Sequence, residues 1–393
     1  MMLPPLALYV HFPWCVAKCP YCDFNSHALH GELPESAYLD AVERDLAAQS
    51  EHAGTRRIES VFLGGGTPSL FSAEAIARLL GCARRHLHIA ADAEVTLEAN
   101  PGTVERGRFA EYRAAGINRV SLGGQSFDAR QLQALGRIHS PLETQRAAAE
   151  LHACGLANFN IDLMYALPDQ DVAAALRDID QALALFPAHL SHYQLTLEAG
   201  TALAANPPAL PSDDGAAQIL EACQRRLAAA NFARYEVSAY ARAGLECRHN
   251  LNYWRFGDYL GVGAGAHGKI SLARDAGIFR TAQWREPRRY MRATPLLQTH
   301  TRVAARDLPF EFMLNALRLV AGFEVECFEL RTGLAWDTVS GKIAALARRG
   351  LLESDGKRCR ATAHGLSFLN DALLEFVPES AETTELSPMS TAS

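Results

Sequence analysis

The stretch YVHFPWCVAKCPYCDF, residues 9 to 24, carries three thiols directly after an apolar run that predicts a strand. Cys15, Cys19 and Cys22 fall within eight positions, a spacing at which closing the loop around one soft metal centre costs little entropy. A cubane iron–sulfur cluster has four irons, each usually held by one cysteine, so three cysteines leave one iron open to a small molecule. The stretch therefore favours a 4Fe–4S cluster with an open site.

Two other kinds of site are compatible with this spacing taken alone. A structural zinc site normally takes four protein ligands and a second paired element such as C-x2-C, and no such pair follows downstream. Redox-active thiols also stay open as an alternative. Disulfides are not expected, because the cluster is odd-numbered and the opening residues MMLPPLALYV lack the basic flank and cleavage site of a secretory leader.

Length and composition indicate an ordinary globular protein. A chain of 393 residues, 49% hydrophobic and 21% charged, can bury a large core and is expected to form two domains. Its net charge of −6 provides no basic surface for phosphate backbones, so nucleic acid is not an expected partner. No apolar run approaches the ~20 residues of a membrane span. Nine cysteines, six of them scattered, fit a reducing compartment, and we predict a cytoplasmic protein.

Strand and helix patterns alternate after the cysteine stretch. Apolar and β-branched runs predict strands at 58–66, 93–101, 117–127, 156–168 and 189–198. Helical spacing of apolar residues predicts helices at 35–50, 73–87, 104–115, 128–136, 142–153 and 171–185. With the first strand this makes six alternations, which predict an α/β fold with a parallel sheet and helices outside it. Because a closed barrel needs eight units, we expect a partial (βα)6 barrel.

The chain divides into four predicted segments. Residues 1–200 form the barrel core, and residues 201–300 a barrel-flanking segment that opens with a Pro- and Ala-rich linker at 200–215 and a helix at 216–230. Residues 301–377 carry helices and a small hairpin, the pattern of a winged-helix-like α+β module. Residues 378–393 are small, polar and without periodicity, so we predict a disordered tail.

The spacing C-x3-C-x2-C, followed by GGGTP at residues 64–68, resembles the radical S-adenosylmethionine (radical SAM) superfamily. The flanking words Y-x-H-F-P and P-Y-C-D-F narrow the resemblance to the branch of the oxygen-independent coproporphyrinogen III oxidases and their related haem chaperones, over about residues 6 to 375. It implies a partial radical SAM barrel in which Cys15, Cys19 and Cys22 hold three irons, while SAM chelates the fourth through its amine and carboxylate. Reduction of the cluster would then cleave SAM to a 5′-deoxyadenosyl radical.

Further SAM contacts are predicted at the ends of the strands, the edge of a parallel sheet where ligands sit. Glycines 64 to 66 lack Cβ atoms, so their backbone can approach an ammonium group closely, although an ordinary βα turn would have the same residues. Glu98 suits paired ribose hydroxyls, with a capping or solvated acid as the alternative. The resemblance implies SAM contacts for Gly65, Gly66 and Thr67, and it also places Tyr9 and Tyr21 against SAM.

Three more polar residues match positions that line the same cavity in the family, where a second SAM or a substrate carboxylate is handled. These are Gln125, Arg137 and Asp162. Arg137 is predicted to be helical, so a surface ion pair is the competing interpretation. Asp162 stands between Ile161 and Leu163 in an apolar strand, where an unpaired carboxylate would be costly.

The motif HNLNYW, residues 249–254, is similar to one found in the haem chaperones of this branch. His249 could donate an axial nitrogen to haem iron, and Tyr253 and Trp254 offer flat apolar faces for a porphyrin. A hydrogen-bonded histidine beside core aromatics is the alternative. Cys247 and His267 are further candidate haem ligands.

The resemblance implies a haem chaperone that binds a 4Fe–4S cluster, SAM and haem and passes haem to acceptor proteins, membrane respiratory enzymes among them. The alternative is an oxygen-independent coproporphyrinogen III oxidase. In the oxidases a fourth cysteine commonly follows the third by two residues, whereas Phe24 occupies that position, which argues against oxidase activity. A zinc-stapled winged-helix regulator is a third hypothesis, and the negative net charge counts against it.

Overall fold

A computed structural model describes residues 3–102, 107–273 and 277–378. Its strands, in chain order, are β1 (Leu6–Phe12), β2 (Trp14–Cys15), β3 (His27–Ala28), β4 (Ile58–Gly65), β5 (Ile89–Ala99), β6 (Arg119–Gln125), β7 (Phe159–Tyr165), β8 (His189–Gln194), β9 (Ala233–Arg234), β10 (Ala239–Ala241), β11 (Asp258–Val262), β12 (His267–Leu272), β13 (Gly277–Gln283), β14 (Leu297–Arg302), β15 (Phe323–Glu324), β16 (Leu352–Ser354) and β17 (Arg358–Ala361).

The helices cover the sheet and build the C-terminal module. They are α1 (Glu35–Ala53), α2 (Ala73–His86), α3 (Phe109–Ala115), α4 (Ala129–Ala134), α5 (Pro141–Ala153), α6 (Val172–Ala184), α7 (Ala202–Ala205), α8 (Asp213–Ala229), α9 (Arg248–Trp254), α10 (Pro287–Arg292), α11 (Leu308–Ala316), α12 (Val325–Thr332), α13 (Asp337–Arg348), α14 (Ala363–Ser367) and α15 (Leu369–Leu374). No helix in these described stretches is long and apolar enough to cross a membrane.

One large sheet organises the molecule. Its strand order is β14-β13-β12-β11-β1-β4-β5-β6-β7-β8-β10-β9. The strands from β11 to β8 in this order are parallel, and antiparallel strands extend the sheet at both ends. The predicted α/β fold with six strand–helix alternations, from β1 to β8, is therefore confirmed. Parallel pairing brings the carboxyl ends of these strands to one edge, where a site can form.

Residues 233–302 continue this sheet with six strands, which the sequence patterns did not predict. β11 pairs with β1, so the first strand of the chain lies inside the sheet and not at its edge. The predicted linker at 200–215 is partly wrong. It contains α7, and α8 begins at Asp213, because the Ser212 side chain accepts the backbone N–H of Gly215 and caps the helix.

The C-terminal module has its own core. Helices α11 to α15 surround a three-stranded antiparallel sheet in the order β15-β17-β16, which agrees with the predicted helices and hairpin. Phe312 lies at its centre, with ring contacts to Phe323 and Phe328 at 5.0 and 5.2 Å. Phe256, from the loop before β11, meets Phe312 at 5.4 Å and joins the module to the barrel. The predicted disordered tail falls almost wholly outside the described residues, which end at Pro378.

Candidate functional site

The three clustered cysteines open onto one cavity at the carboxyl edge of the sheet. We call it the cysteine cavity, and its volume is about 290 Å³. The predicted residues that line it with the thiols are Tyr21, Gly65, Gly66, Thr67, Glu98, Gln125, Arg137 and Asp162. Cys15, Cys19 and Cys22 are partly buried, unpaired thiols. The fold therefore brings together most of the residues that the sequence singled out, from six separate strands or loops.

Polar groups approach each of the three thiols. The Arg137 guanidinium donates to the Cys19 sulfur at 3.6 Å, Ser26 Oγ lies 3.5 Å from the Cys22 sulfur, and the Thr67 side chain is hydrogen-bonded to Cys15. Burial and the neighbouring thiols raise the pKa of Cys15, since a crowded set of thiolates repels itself unless a cation is bound. Within the described stretches no three His, Cys, Asp or Glu side chains could hold a single metal ion. In a cubane, by contrast, each cysteine is attached to a different iron.

The glycine loop after β4 fixes the cysteine loop in place. The Gly66 N–H donates to the Phe12 carbonyl at 2.6 Å, and the Thr67 N–H donates to the Trp14 carbonyl at 2.7 Å. A Cβ atom on Gly66 would lie 2.5 Å from the Trp14 carbonyl oxygen, so only glycine permits this approach. The GGGTP segment is consequently more than a βα turn, because it aligns the residues that precede Cys15.

Glu98 faces the cavity from the end of β5. Its Oε2 atom accepts the Gly65 N–H at 2.9 Å. Burial, followed by the nearby carboxylate of Asp162, raises the pKa of Glu98 to about 8. The side chain is thus mostly protonated near neutral pH and can donate as well as accept a hydrogen bond.

Arg137 differs from its predicted setting. Helix α4 ends at Ala134, and the guanidinium reaches the cavity, where it donates to Asn100 Oδ1 at 2.5 Å and to the Gly123 carbonyl at 2.9 Å. The helical assignment was wrong, because the chain turns after Ala134. The alternative of a surface ion pair is not what the structure shows, since these partners are neutral.

Asp162 and Gln125 are both held by neighbours. Asn160 Nδ2 donates to Asp162 Oδ1 at 2.7 Å, and Ser121 Oγ donates to Oδ2 at 3.4 Å, so the carboxyl group is not unpaired. Burial raises the pKa of Asp162. Gln125 accepts from the Tyr193 hydroxyl at 2.8 Å, which holds its side chain at the cavity wall.

Tyr9 and His11 point into the barrel, where both line a cavity. The Tyr9 hydroxyl lies 2.9 Å from His11 Nδ1, and His11 Nε2 lies 2.9 Å from the Asn25 carbonyl. The carbonyl can only accept, so Nε2 carries the proton and Nδ1 accepts from Tyr9. Tyr9 does not line the cysteine cavity. It lines an adjoining one of about 430 Å³, which we call the tyrosine cavity, and the two cavities share Gly65, Glu98 and Phe24.

His249 lies deep in the barrel, away from both cavities. It is 4% exposed, its Nδ1 is 3.2 Å from Ser60 Oγ, and its ring stacks on Phe62 at 5.0 Å. Burial, and then the charge of Arg119, lower its pKa to about 3, so the imidazole is neutral. Cys247 is buried beside Glu94. Within the HNLNYW motif, Tyr253 lines the tyrosine cavity.

Comparison with known proteins identifies the family. Residues 9–179 match the radical SAM superfamily, and residues 303–368 match the HemN C-terminal domain. The chain is 48% identical to heme chaperone HemW of Escherichia coli K12, over 96% of this chain and 99% of the relative. This chain belongs to the HemW family of radical SAM proteins. Heme chaperone HemW of Haemophilus influenzae is 45% identical, again over 96% of this chain and 99% of the relative.

The family extends to animals, and its fold has been solved in a more distant protein. The mouse radical S-adenosyl methionine domain-containing protein 1, mitochondrial, is 38% identical over 98% of this chain and 90% of its own length. Coproporphyrinogen III oxidase (HemN) of E. coli has the same fold, with a TM-score of 0.80 at 22% identity over 95% of this chain and 90% of that chain. The partial radical SAM barrel with its C-terminal module is therefore confirmed.

The sequence patterns did not predict two residues of the site, Asn100 and Tyr193. Asn100 donates to Thr67 Oγ1 at 2.9 Å and accepts from Arg137, so it joins the glycine loop to the arginine. Tyr193 lines the cysteine cavity from β8 and holds Gln125. Asn100 stands next to the carboxyl end of the predicted strand 93–101, and that position was the signal that could have found it. Tyr193 lies next to the last residue of β8, but the predicted strand 189–198 placed it in mid-strand.

Proposed function

We propose that this chain is a haem chaperone that binds one 4Fe–4S cluster with SAM at its open iron, binds haem, and transfers haem to acceptor proteins. The observation that carries the proposal is the 48% identity with a protein named heme chaperone HemW, which extends over almost the whole of both chains. A shared radical SAM barrel alone would support only cluster and SAM binding, because one fold serves many functions. The cytoplasm, where thiols stay reduced, is the proposed compartment.

The cysteine cavity supports the cluster part of the proposal through its donor set. Cys15, Cys19 and Cys22 would hold three irons, and soft thiolates are the ligands that such clusters take. Arg137, Ser26 and Thr67 stand against the thiols and would donate hydrogen bonds to the sulfurs. When bound, the cluster supplies the electron that cleaves the sulfonium bond of SAM.

The remaining cavity residues would hold SAM. Backbone groups of Gly65, Gly66 and Thr67 lie beside the thiols and suit the SAM amine, because the glycines allow close approach. Glu98 can exchange hydrogen bonds with both ribose hydroxyls, as acidic residues do in dinucleotide sites. Arg137 is placed to pair with a carboxylate, of SAM or of a substrate.

Four further residues complete the proposed binding surface around SAM. Tyr21 forms part of the cavity wall, while Gln125 and Asp162 present polar groups that a second SAM or a substrate could contact. Tyr9 would act from the adjoining cavity, behind Glu98, through its hydrogen bond to His11.

An anaerobic experiment tests both halves of the function on one sample. The reconstituted protein is titrated with hemin and then mixed with apomyoglobin as a haem acceptor, and the Soret band follows the transfer. We expect haem binding followed by transfer, and acid-labile sulfide in the same sample. Cys19→Ala is the control, since it should lose the cluster. Protein that binds no hemin, or keeps it in the presence of the acceptor, contradicts the proposal.

The oxidase alternative is tested in parallel with coproporphyrinogen III, SAM and a reductant. Phe24 stands where the oxidases commonly have a fourth cysteine, and the residue is 61% exposed beside the cysteine loop. We expect no appreciable protoporphyrinogen. Efficient turnover would replace the chaperone by the oxidase assignment.

Two details of the haem step are also proposals. The motif makes His249 one candidate for the axial ligand, and its burial means that α9 would have to shift for iron to reach it. Membrane respiratory enzymes are the proposed acceptors, met by transient contact. A pull-down from solubilised membranes tests the proposed acceptors. It compares the respiratory enzymes retained by the hemin-loaded chain with those retained by the hemin-free chain.

A further inference from the structure

The tyrosine cavity is a site that the cluster and SAM do not account for. Its volume is about 430 Å³, and its walls include the aromatic rings of Tyr9, Phe24, Tyr253 and Tyr259. Tyr253 and Tyr259 stack on each other with ring centroids 4.1 Å apart and an angle of 26° between the rings. A surface of flat aromatic faces is suited to a planar, largely apolar macrocycle, because the rings and the macrocycle can bury apolar surface against each other with few polar contacts.

The HNLNYW helix contributes one face of this wall. His249 and Tyr253 are four residues apart on α9, so they lie on the same side of the helix, with ring centroids 5.0 Å apart. Tyr253 reaches the cavity, while His249 lies behind it against Phe62 and Ser60. The backbone N–H of Arg248 donates to the Glu94 side chain at 2.9 Å and anchors the start of the helix to the barrel. The motif thus shapes the cavity through its tyrosine.

A different histidine offers its ring to the cavity. His267 is the first residue of β12, is exposed, and lines the tyrosine cavity. Partial burial, followed by the charges of Arg285 and Arg280, lowers the pKa of His267, so its ring is mainly neutral at pH 7 and keeps a lone pair for a metal. His11 also lines the cavity, but both of its ring nitrogens are hydrogen-bonded, to Tyr9 and to Asn25.

Charged side chains of both signs line the same cavity, namely Arg285 and Asp23. The exposed side chain of Arg285 lines the tyrosine cavity and also the groove that runs past Lys18 and Phe24. Haem propionates are anionic carboxylates, and guanidinium groups pair with carboxylates through two parallel hydrogen bonds. The cavity therefore combines aromatic walls, a histidine and a cationic side chain, the three kinds of group that a haem ring, its iron and its propionates would need.

We propose that haem binds in the tyrosine cavity with His267 as an axial ligand and its propionates toward Arg285. This rests on the proposed haem function and names its site. The two cavities share Gly65, Glu98 and Phe24, so the haem would lie beside SAM and the cluster, with Phe24 in contact with both sites. Phe24 would then serve as a wall of the haem site at the position where a fourth cysteine is missing.

Anaerobic hemin titration of the full, cluster-loaded chain tests this placement, with ferric haem followed by its Soret band and by low-temperature EPR. His267→Ala should weaken hemin binding at least about tenfold, the order of loss expected when a metal site is disturbed. His267→Cys should keep haem but give the optical and EPR spectra of thiolate ligation. His88→Ala, an exposed histidine next to β5 at the opposite end of the barrel, is the matched control and should behave as wild type.

Three results separate the possible failures. Wild-type hemin binding that His267→Ala leaves unchanged in affinity and EPR spectrum overturns the placement at His267, while the proposed haem function stands. Loss of binding in His249→Gln, with His267→Ala equal to wild type and iron and sulfide contents unaltered, overturns it in favour of His249. Wild-type protein that binds no hemin overturns the haem function itself, and this site with it.

Discussion

Replacing Glu98 by glutamine tests the electrostatics of the cysteine cavity. Burial and the carboxylate of Asp162 raise the pKa of Glu98 from 4.5 to about 8 in the folded protein. Between these two values the folded protein holds a proton that the unfolded chain has released. Its free energy of unfolding therefore falls as the pH rises through this window, and the loss is complete above about pH 8.

The magnitude follows from the two pKa values. Each pH unit inside the window corresponds to about 1.4 kcal/mol, so the full interval from 4.5 to about 8 corresponds to about 5 kcal/mol. Because the carboxyl group faces a cavity that water can enter, we expect about half of this, or about 2–3 kcal/mol. Glutamine has no titrating proton and still offers an oxygen to the Gly65 N–H, which lies 2.9 Å from Glu98 Oε2.

The assay is urea unfolding of metal-free protein, followed by circular dichroism at about pH 5, 7 and 9. The stability of Glu98→Gln relative to wild type should rise by about 2–3 kcal/mol across this range. Asp355→Asn is the control. Backbone N–H groups of Arg358 and Lys357 lower the pKa of Asp355 below 3.8, so its effect should be constant over these pH values. A Glu98→Gln difference that stays equally constant would refute the reasoning.

Three further substitutions test other parts of the structure. Gly66→Ala places a Cβ atom 2.5 Å from the Trp14 carbonyl oxygen, so it should lower the free energy of unfolding by about 1–3 kcal/mol and reduce the iron content. Gly81→Ala is the control and should change neither quantity, because the nearest atom to its Cβ lies at 3.8 Å. Lys269→Met removes the 2.8 Å partner of buried Asp258 and should lower the free energy of unfolding by about 3–5 kcal/mol in urea. An unchanged free energy of unfolding would contradict this and show that Arg56 alone is a sufficient partner for Asp258. Arg137→Gln removes a hydrogen bond to the Cys19 sulfur and should lower the cluster potential in an EPR-monitored redox titration, and an unchanged potential would exclude that role.

The sequence predicted the parts of the fold that rest on repeating patterns. The six strand–helix units and the position of Glu98 and Gln125 at strand ends followed from periodicity and the common edge of a parallel sheet. Asp162 was also expected at a strand end, but it lies in the middle of β7. The six strands between residues 233 and 302 were missed. β9 and β10 are short, and the aromatic and glycine residues before β12 have no clear alternation, so their pairing depends on the sheet already formed by the first half.

Site residues were predictable where the residue type itself implies a chemical role. They were less predictable where the role depends on contacts with residues distant in the sequence. The thiols and the glycine loop were predicted because few kinds of site require this combination of residues at this spacing. Asn100 was not, because an asparagine before a proline also suits an ordinary turn, and only the fold shows that it bridges Thr67 and Arg137. The burial of His249 likewise depends on Phe62 and Glu94, which are distant in the sequence.

The interior position of β1 has a consequence for biosynthesis. One edge of this strand pairs with β4, but the other pairs with β11, so the ladder closes only when Val262 has been made. At about 5–20 residues per second, the first strand waits for roughly 10–50 seconds with an open, apolar edge. Nascent chains that end before Val262 should therefore bind holdase chaperones or aggregate. The amino-terminal half of the chain should not fold as an independent unit during translation.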